Sequence, residues 1–283
     1  MTPSPSSSAQ AARKALAGRL REVMRDARLN GRQLAERAGW SAAKVSRILN
    51  AISPVSEDDV RTWCRVCQAE GATGDLLAEL RTADQAYVTW KRLHRTGLSK
   101  VYETSTPLFQ RTRHFRVYSP HVVPGLLQTS EYAEAVLAMI AEFQSTPADD
   151  IADAVAKRMQ RSRVIREGDH RFSILIEEQV LQHRIGDATV MTAQLGYLLE
   201  VLSLPSLVLG VIPFGTPRAG MWPIESFYVY DDAMATQETL TASLTITAPS
   251  EVASFVKAHK ALGEQAVYGK AAVHRITAAI EAL

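Results

Sequence analysis

Between Arg13 and Asn50 the chain sets ten basic residues against three acids, and two of these bases, Lys44 and Arg47, stand three apart in a stretch of helical spacing. An arginine fork matches the two acceptors that guanine presents in the major groove, whereas a lysine meets phosphate as a point charge. Recognition of nucleic acid is the chemistry this pattern allows. With Val45, Ile48 and Leu49 turned inward, the outward positions are Ala42, Ala43, Lys44, Ser46, Arg47 and Asn50. Arg47 is placed to read a base edge. Ser46, Ala43 and Ala42 lie close enough to touch bases, the alanines through a thymine methyl. Lys44, Arg32 and Ser41 are assigned to phosphates, with the helix N-terminus helping. Charge by itself equally describes a solvated basic face, so the geometry of the surrounding elements has to decide.

Other chemistry is thinner. The chain has no GxGxxG, no phosphate-loop GxxxxGK and no HExxH. Gly39-Trp40-Ser41-Ala42-Ala43 lacks the last glycine of a serine elbow, and no strand precedes it, so Ser41 reads as a helix N-cap. Glu177 and Glu178 are adjacent carboxylates after a strand, where neighbours point to opposite faces. They read as one buried, hydrogen-bonding acid and one solvated acid. The seven histidines, at 94, 114, 121, 170, 183, 259 and 274, show no metal-ligand spacing. Cys64 and Cys67 lie three apart on one helix and read as core thiols. No catalytic residue, metal or cofactor is expected, and the chain is read as not an enzyme. Tyr197, Phe214, Trp222, Phe227 and Tyr228 group around predicted strands and loops. They suit an apolar pocket for a ligand or partner, although such a group more often fills a core or a dimer seam.

The elements that must position the basic helix are legible in the same residues. Leu16, Leu20, Val23, Met24 and Ala27 recur at helical spacing until Asn30-Gly31 supplies a turn. A short helix from about Arg32 to Ala38 follows, with Leu34, Ala35 and Ala38 inward. Gly39 supplies the left-handed position that ends it. Trp40 covers the corner, and Ser41 caps a third helix that runs to about Leu49. Asn50 can cap its far end. After Pro54, Ser56 caps a fourth helix with Glu57, Asp58 and Asp59 in its first turn, where the macrodipole favours acids. Val60, Trp63, Val66 and Cys67 form its inward stripe. A fifth helix is expected from Gly74 to about Arg92. This is the arrangement of a helix-turn-helix reader of a major groove.

Beyond Thr89 the reading is coarser. A basic connector, TWKRLHRTGLSK, leads to a helical stretch through Phe109 to Phe115. An extended segment from Tyr118 ends in a Pro-Gly turn before helices at Leu126–Phe143 and Asp149–Arg166. Strands are expected at Phe172–Glu177, Ser206–Pro213, Ser226–Tyr230 and Leu244–Thr247. Thr189–Leu202, Ser250–Gln265 and Gly269–Ala282 read as helices, and the loop from Pro213 to Pro223 as a mobile flap or interface element. Helices and strands mix without regular βαβ alternation, so the fold class is a mainly α N-terminal helix-turn-helix bundle followed by an α+β effector domain. The expected divisions are a disordered tail at 1–12, a DNA-binding domain at 13–88, a basic linker or helix at 89–117, and an effector and dimerisation domain at 118–283.

With 283 residues, 46% hydrophobic and 22% charged, the chain has apolar material for two domains. Its formal charge of +2 is split unevenly, twelve bases to seven acids through residue 70 and twenty to twenty-three after it. The longest uncharged run, Val201 to Pro217, is broken by prolines and glycines, which excludes a membrane span. The N-terminus lacks a secretory pattern, and two cysteines fit a reducing compartment, so a cytoplasmic, nucleoid-associated place is expected.

The stretch LAERAGWSAAKVSRILN, Leu34 to Asn50, resembles the phage-repressor-like (XRE) helix-turn-helix family, which favours LAxxxGxSxxxxSRxxxG. Asn50 stands where that family has Gly or Asn. Further on, VPGLLQTSEYA from Val123 resembles the signature of the WhiJ-like regulators of actinobacteria. RMQRSRVI at Arg158, ILIEEQVLQHRIG at Ile174, AQLGYLLEV at Ala193 and VLGVIPFG at Val208 match in order. The resemblance implies a transcriptional regulator working beside a small partner protein, in an antitoxin-like arrangement. Gln110 departs from an acid, and the polar TLTASLTIT from Thr239 departs from a hydrophobic run. The expected function is therefore a sequence-specific regulator of double-stranded DNA. One small helix buries little surface, so a homodimer on a near-palindromic operator is expected. Its C-terminal domain would receive a small partner protein, encoded nearby, or a ligand. The alternative is a small-molecule sensor or enzyme in the C-terminal domain, with the helix-turn-helix as a docking module.

Overall fold

A computed structural model describes residues 7–53, 55–82, 87–89, 98–144, 149–240 and 242–283. The chain divides into two compact units, residues 1–87 with 244–253, and residues 88–243 with 254–283. None of the described helices is long and apolar enough to cross a membrane.

The first unit is a helical bundle of α1 (Ser7–Asp26), α2 (Gly31–Ala38), α3 (Ala42–Leu49), α4 (Glu57–Val66) and α5 (Thr73–Thr82). Helix α1 starts inside the segment expected to be a tail, because SSAQAARKAL is rich in strong helix formers. The fifth helix ends ten residues before Arg92, and Tyr87–Thr89 is the short strand β1. The rest of that expected helix and most of the basic connector lie outside the described residues, as does Pro54. Leu20, Leu34, Ile48, Val60, Trp63 and Leu76 form a fully buried core. Each large apolar side chain so buried contributes ~1.5–3 kcal/mol relative to exposure. Trp63 also donates its indole N–H to the Leu20 carbonyl at 3.1 Å, tying α4 to α1 without leaving a buried polar atom unpaired.

The second unit is built on α6 (Leu98–Arg111), β2 (His114–Ser119), α7 (Ser130–Gln144), α8 (Ile151–Ser162), β3 (Arg171–Glu177), α9 (Ala188–Val201) and β4 (Leu207–Ile212). Two further strands, β5 (Phe227–Tyr230) and β6 (Met234–Glu238), extend its sheet, and α11 (Lys270–Glu281) is its last helix. A last strand, β7 (Ala242–Ile246), precedes α10 (Pro249–Gly263). Strand β3 lies parallel to both β2 and β4, with Phe172 opposite Phe115 and Leu207, while β5 runs antiparallel to β2 and β6 antiparallel to β5. The fold is thus a helix-turn-helix bundle followed by an α+β unit, as expected.

Alternation assigns the faces of this sheet. Phe115, Val117, Phe172, Ile174, Ile176, Leu209 and Val211 form one face, buried with Met191, Leu195 and Leu198 of α9 and Ile276 of α11. Tyr118, Leu175 and Phe227 belong to the other, where Phe255 and His259 of α10 pack against Phe227. The segment at 89–117 is not a linker throughout. Tyr102 and Phe109 of α6 are buried, and His114–Val117 open a central strand. The alternation of Phe115 and Val117 is masked in the sequence by His114 and Arg116. Strand β6 was also unexpected, since MATQE carries no apolar run.

Candidate nucleic-acid interface

Three local devices set the angle and exposure of α3. Asn30 and Gln33 form a reciprocal capping box at the start of α2. Gly39 adopts φ +70, the left-handed conformation that glycine takes without steric cost, and Trp40 N–H then bonds the Ala35 carbonyl at 2.8 Å. Ser41 accepts from Lys44 N–H at 3.2 Å, starting α3. On the other side Ser56 and Asp59 cap α4 reciprocally. Val45 and Ile48 anchor α3 in the core. Arg21 of α1 donates to the Leu49 carbonyl at 2.6 Å, covering an acceptor at the C-terminal end of α3.

The face left outward is the expected one. Ser41, Ala42, Ala43, Ser46, Arg47 and Asn50 are all exposed, and so is Arg32 at the start of α2. No ion pair among the described residues holds Arg47 or Arg32, whose guanidinium groups face solvent. Asn50 turns its amide back to the Ser46 carbonyl at 2.8 Å, so it caps the helix and presents little donor capacity outward. This is the capping expected of Asn50 from its place at the end of the helix.

Lys44 is placed differently from its neighbours. Its ammonium sits 2.5 Å from Asp59 and 4.1 Å from the Trp40 ring centroid, half-exposed. Trp40 in turn packs 6.2 Å from Trp63. Burial acts to raise the Asp59 carboxyl, but the hydrogen bonds from Lys44 and Ser56 outweigh it and hold its pKa below the ordinary value. Lys44 therefore fastens α3 to α4 and the turn, with only part of its charge turned to solvent. Sequence spacing could not show this, because Asp59 is fifteen residues away.

The five aromatics of the second unit do not converge. Phe227 is buried against Tyr118, Phe255 and His259, while Tyr228, its neighbour on β5, faces Phe109 and Tyr230 on the opposite side. Adjacent strand positions cannot line one pocket. Tyr197 on α9 meets the guanidinium of Arg166. Phe214 and Trp222 are 57% and 67% exposed in the loop after β4. That loop is fastened by Arg218, which donates to Glu177 and to Gln265, the latter at 2.9 Å.

The paired carboxylates also differ from expectation. Glu177 and Glu178 are both buried, at 6% and 8% exposure. Glu177 accepts from the Tyr118 hydroxyl at 2.7 Å and from Arg218, and Glu178 accepts from the Phe214 amide at 2.7 Å and from Arg275 at 2.9 Å. The strand ends at Glu177 and turns into a 3-10 segment, so alternation no longer carries Glu178 to solvent. Cys64 and Cys67 are buried free thiols, and burial pushes Cys67 up to about 11.

Two family models match the chain. Residues 107–278 match a domain of unknown function, DUF5753. The chain belongs to the DUF5753 family. Residues 15–80 match a helix-turn-helix domain, which spans the α2–turn–α3 arrangement and its capped neighbours. No curated protein and no solved structure gives a match. The helix-turn-helix match supports a DNA-binding regulator.

Proposed function

We propose that the chain is a sequence-specific transcriptional regulator that works as a homodimer on a near-palindromic operator. Its DUF5753 domain dimerises and receives a small partner protein or ligand, in the WhiJ-like, antitoxin-like manner implied by the motif at Val123. The carrying observation is the outward face of α3, where Ala42, Ala43, Ser46 and Arg47 are exposed on a helix whose inward residues and both ends are fixed. Such a rigidly presented face fits a major groove, with Arg47 directed to a guanine edge and Arg32 and Ser41 to phosphates. A single face of this size buries too little for tight binding, which favours two copies on two half-sites one helical turn apart. The chain acts in the cytoplasm, at the nucleoid.

Regulation without catalysis is the companion reading. It is supported by Glu177 and Glu178, whose carboxylates are engaged by Arg218, Tyr118, Arg275 and a backbone amide. Selection of bound duplexes from a random pool, followed by light scattering of the complex, tests the proposal. Enriched inverted repeats bound by two chains are expected. Enrichment of no sequence, or one chain on an asymmetric site, would contradict it.

A further inference from the structure

A second cationic feature lies within the second unit. Arg158 and Arg161 project from one face of α8, three residues apart, and both are largely shielded from solvent. Among the described residues no carboxylate lies within ion-pair distance of either. Arg161 instead donates to the Ser105 hydroxyl at 2.7 Å and stacks its guanidinium 4.2 Å from Phe109 and 4.9 Å from Tyr102. Arg158 donates to Gln128 and lies 5.0 Å from the same Tyr102 ring. The Nε atom of each is buried with no hydrogen-bond partner. Burial and the neighbouring Arg158 both act against the charge on Arg161.

Neutral rings and hydroxyls offset only part of the cost of holding two like charges together away from water. Beside Arg161 a cleft of about 270 Å³ opens between α6 and the end of α8. Its wall carries Thr106, Gln110, Gln160, Arg163 and His170, groups that hydrogen-bond an acid's oxygens, and Phe109 provides an apolar floor. Among the described residues, the exposed Glu167 is the one carboxylate on its rim. The His170 imidazole is held in place through Nδ1 at 2.6 Å from the Thr112 carbonyl, which leaves Nε2 for another partner.

We propose that this cleft binds a compact small-molecule anion, a phosphate monoester or carboxylate with an apolar body, with Arg161 as its charge partner. The volume is at the small end of ligand sites, which suits a single ring rather than a nucleotide. The missing countercharge is then supplied by the ligand.

Calorimetric titration of the full chain with phenyl phosphate, inorganic phosphate and phenol tests this. Saturable one-site binding of phenyl phosphate is expected, weaker for inorganic phosphate and absent for phenol. Arg161→Gln should weaken it at least tenfold. Because Arg161 also packs in the core, Gln110→Glu provides a second variant, which sets a negative charge on the wall without removing a buried group. It should weaken phenyl phosphate by a similar factor, while Arg184→Gln, on the surface elsewhere, leaves it unchanged. Failure of both anions to bind, or equal affinity for phenol, overturns the proposal. So does binding that is indifferent to Gln110→Glu.

Discussion

Arg47 and Lys44 sit three residues apart on α3, yet their surroundings give them different tasks. The Arg47 guanidinium is exposed, whereas the Lys44 ammonium is directed at Asp59 and Trp40. Arg47→Ala should therefore cost ~1–3 kcal/mol at one base pair of the operator and relax the preference there, with little change on random DNA. Equal losses on both duplexes would remove Arg47 from base reading. For Asp59, the depressed carboxyl means a stabilising contribution that is full above the ordinary carboxylate pKa and lost as pH falls through its lower folded value. Asp59→Asn should flatten that acid limb in an unfolding titration of the first unit.

His259 works in the opposite chemical sense. Its ring is buried, its Nε2 lies 3.0 Å from the Ser173 carbonyl, and burial depresses its pKa from 6.5 to about 4. Between those two values the unfolded chain binds a proton that the folded chain refuses. Stability of the second unit should fall as pH drops through this window, by roughly 3 kcal/mol when complete. The charged and titratable groups acting on it include Arg116 and His114, both of which lower it further. Hydrogen exchange at pH 7 and pH 5 in His259→Gln and unaltered chain checks this. An unchanged pH response in the variant would refute it.

At the scale of elements, glycines give two predictions of opposite sign. Gly210 lies in β4 where an added Cβ would come within 2.6 Å of Tyr268 and 2.8 Å of Leu175. Gly210→Ala should destabilise the second unit by ~1–3 kcal/mol through overpacking. Gly196 lies on the exposed side of α9 with nothing within 4 Å of its Cβ position, so Gly196→Ala should stabilise by ~1 kcal/mol. Urea unfolding monitored in the second unit distinguishes the two.

The same scale shows how far the residues alone could be read. The helix-turn-helix was legible because every signal in it is local. Asn30, Gly39, Ser41 and Ser56 cap or turn within four residues of themselves, and Val45 and Ile48 announce the inward face. The second unit was less legible because its partners are remote in sequence. Glu178 meets Arg275 ninety-seven positions on, and Glu177 meets Arg218 forty-one on. Strand β2 is hard to see because Arg116 and His114 interrupt its apolar alternation, and adjacency in sequence conceals that Phe227 and Tyr228 face opposite sides of β5. Lys44 belongs with these: its spacing located it, while only packing showed its partner.

At the scale of the whole molecule, the chain joins a helical first unit to a second unit with a hydrophobic core of its own. In the proposed regulator, the excess of bases through residue 70 would account for attraction to any duplex, and the fixed face of α3 for preference among duplexes. These two contributions separate in a salt series, because counterion release governs the first and base-edge contacts the second. The most direct measurement is fluorescence anisotropy of the full chain on its selected duplex and on a scrambled duplex from 50 to 300 mM salt, conditions chosen to span the range in which phosphate contacts weaken. Affinity falling steeply with salt on both duplexes, with at least a ~1,000-fold preference for the selected one, is the predicted result. A flat salt response, or the same affinity for both duplexes, would contradict the account.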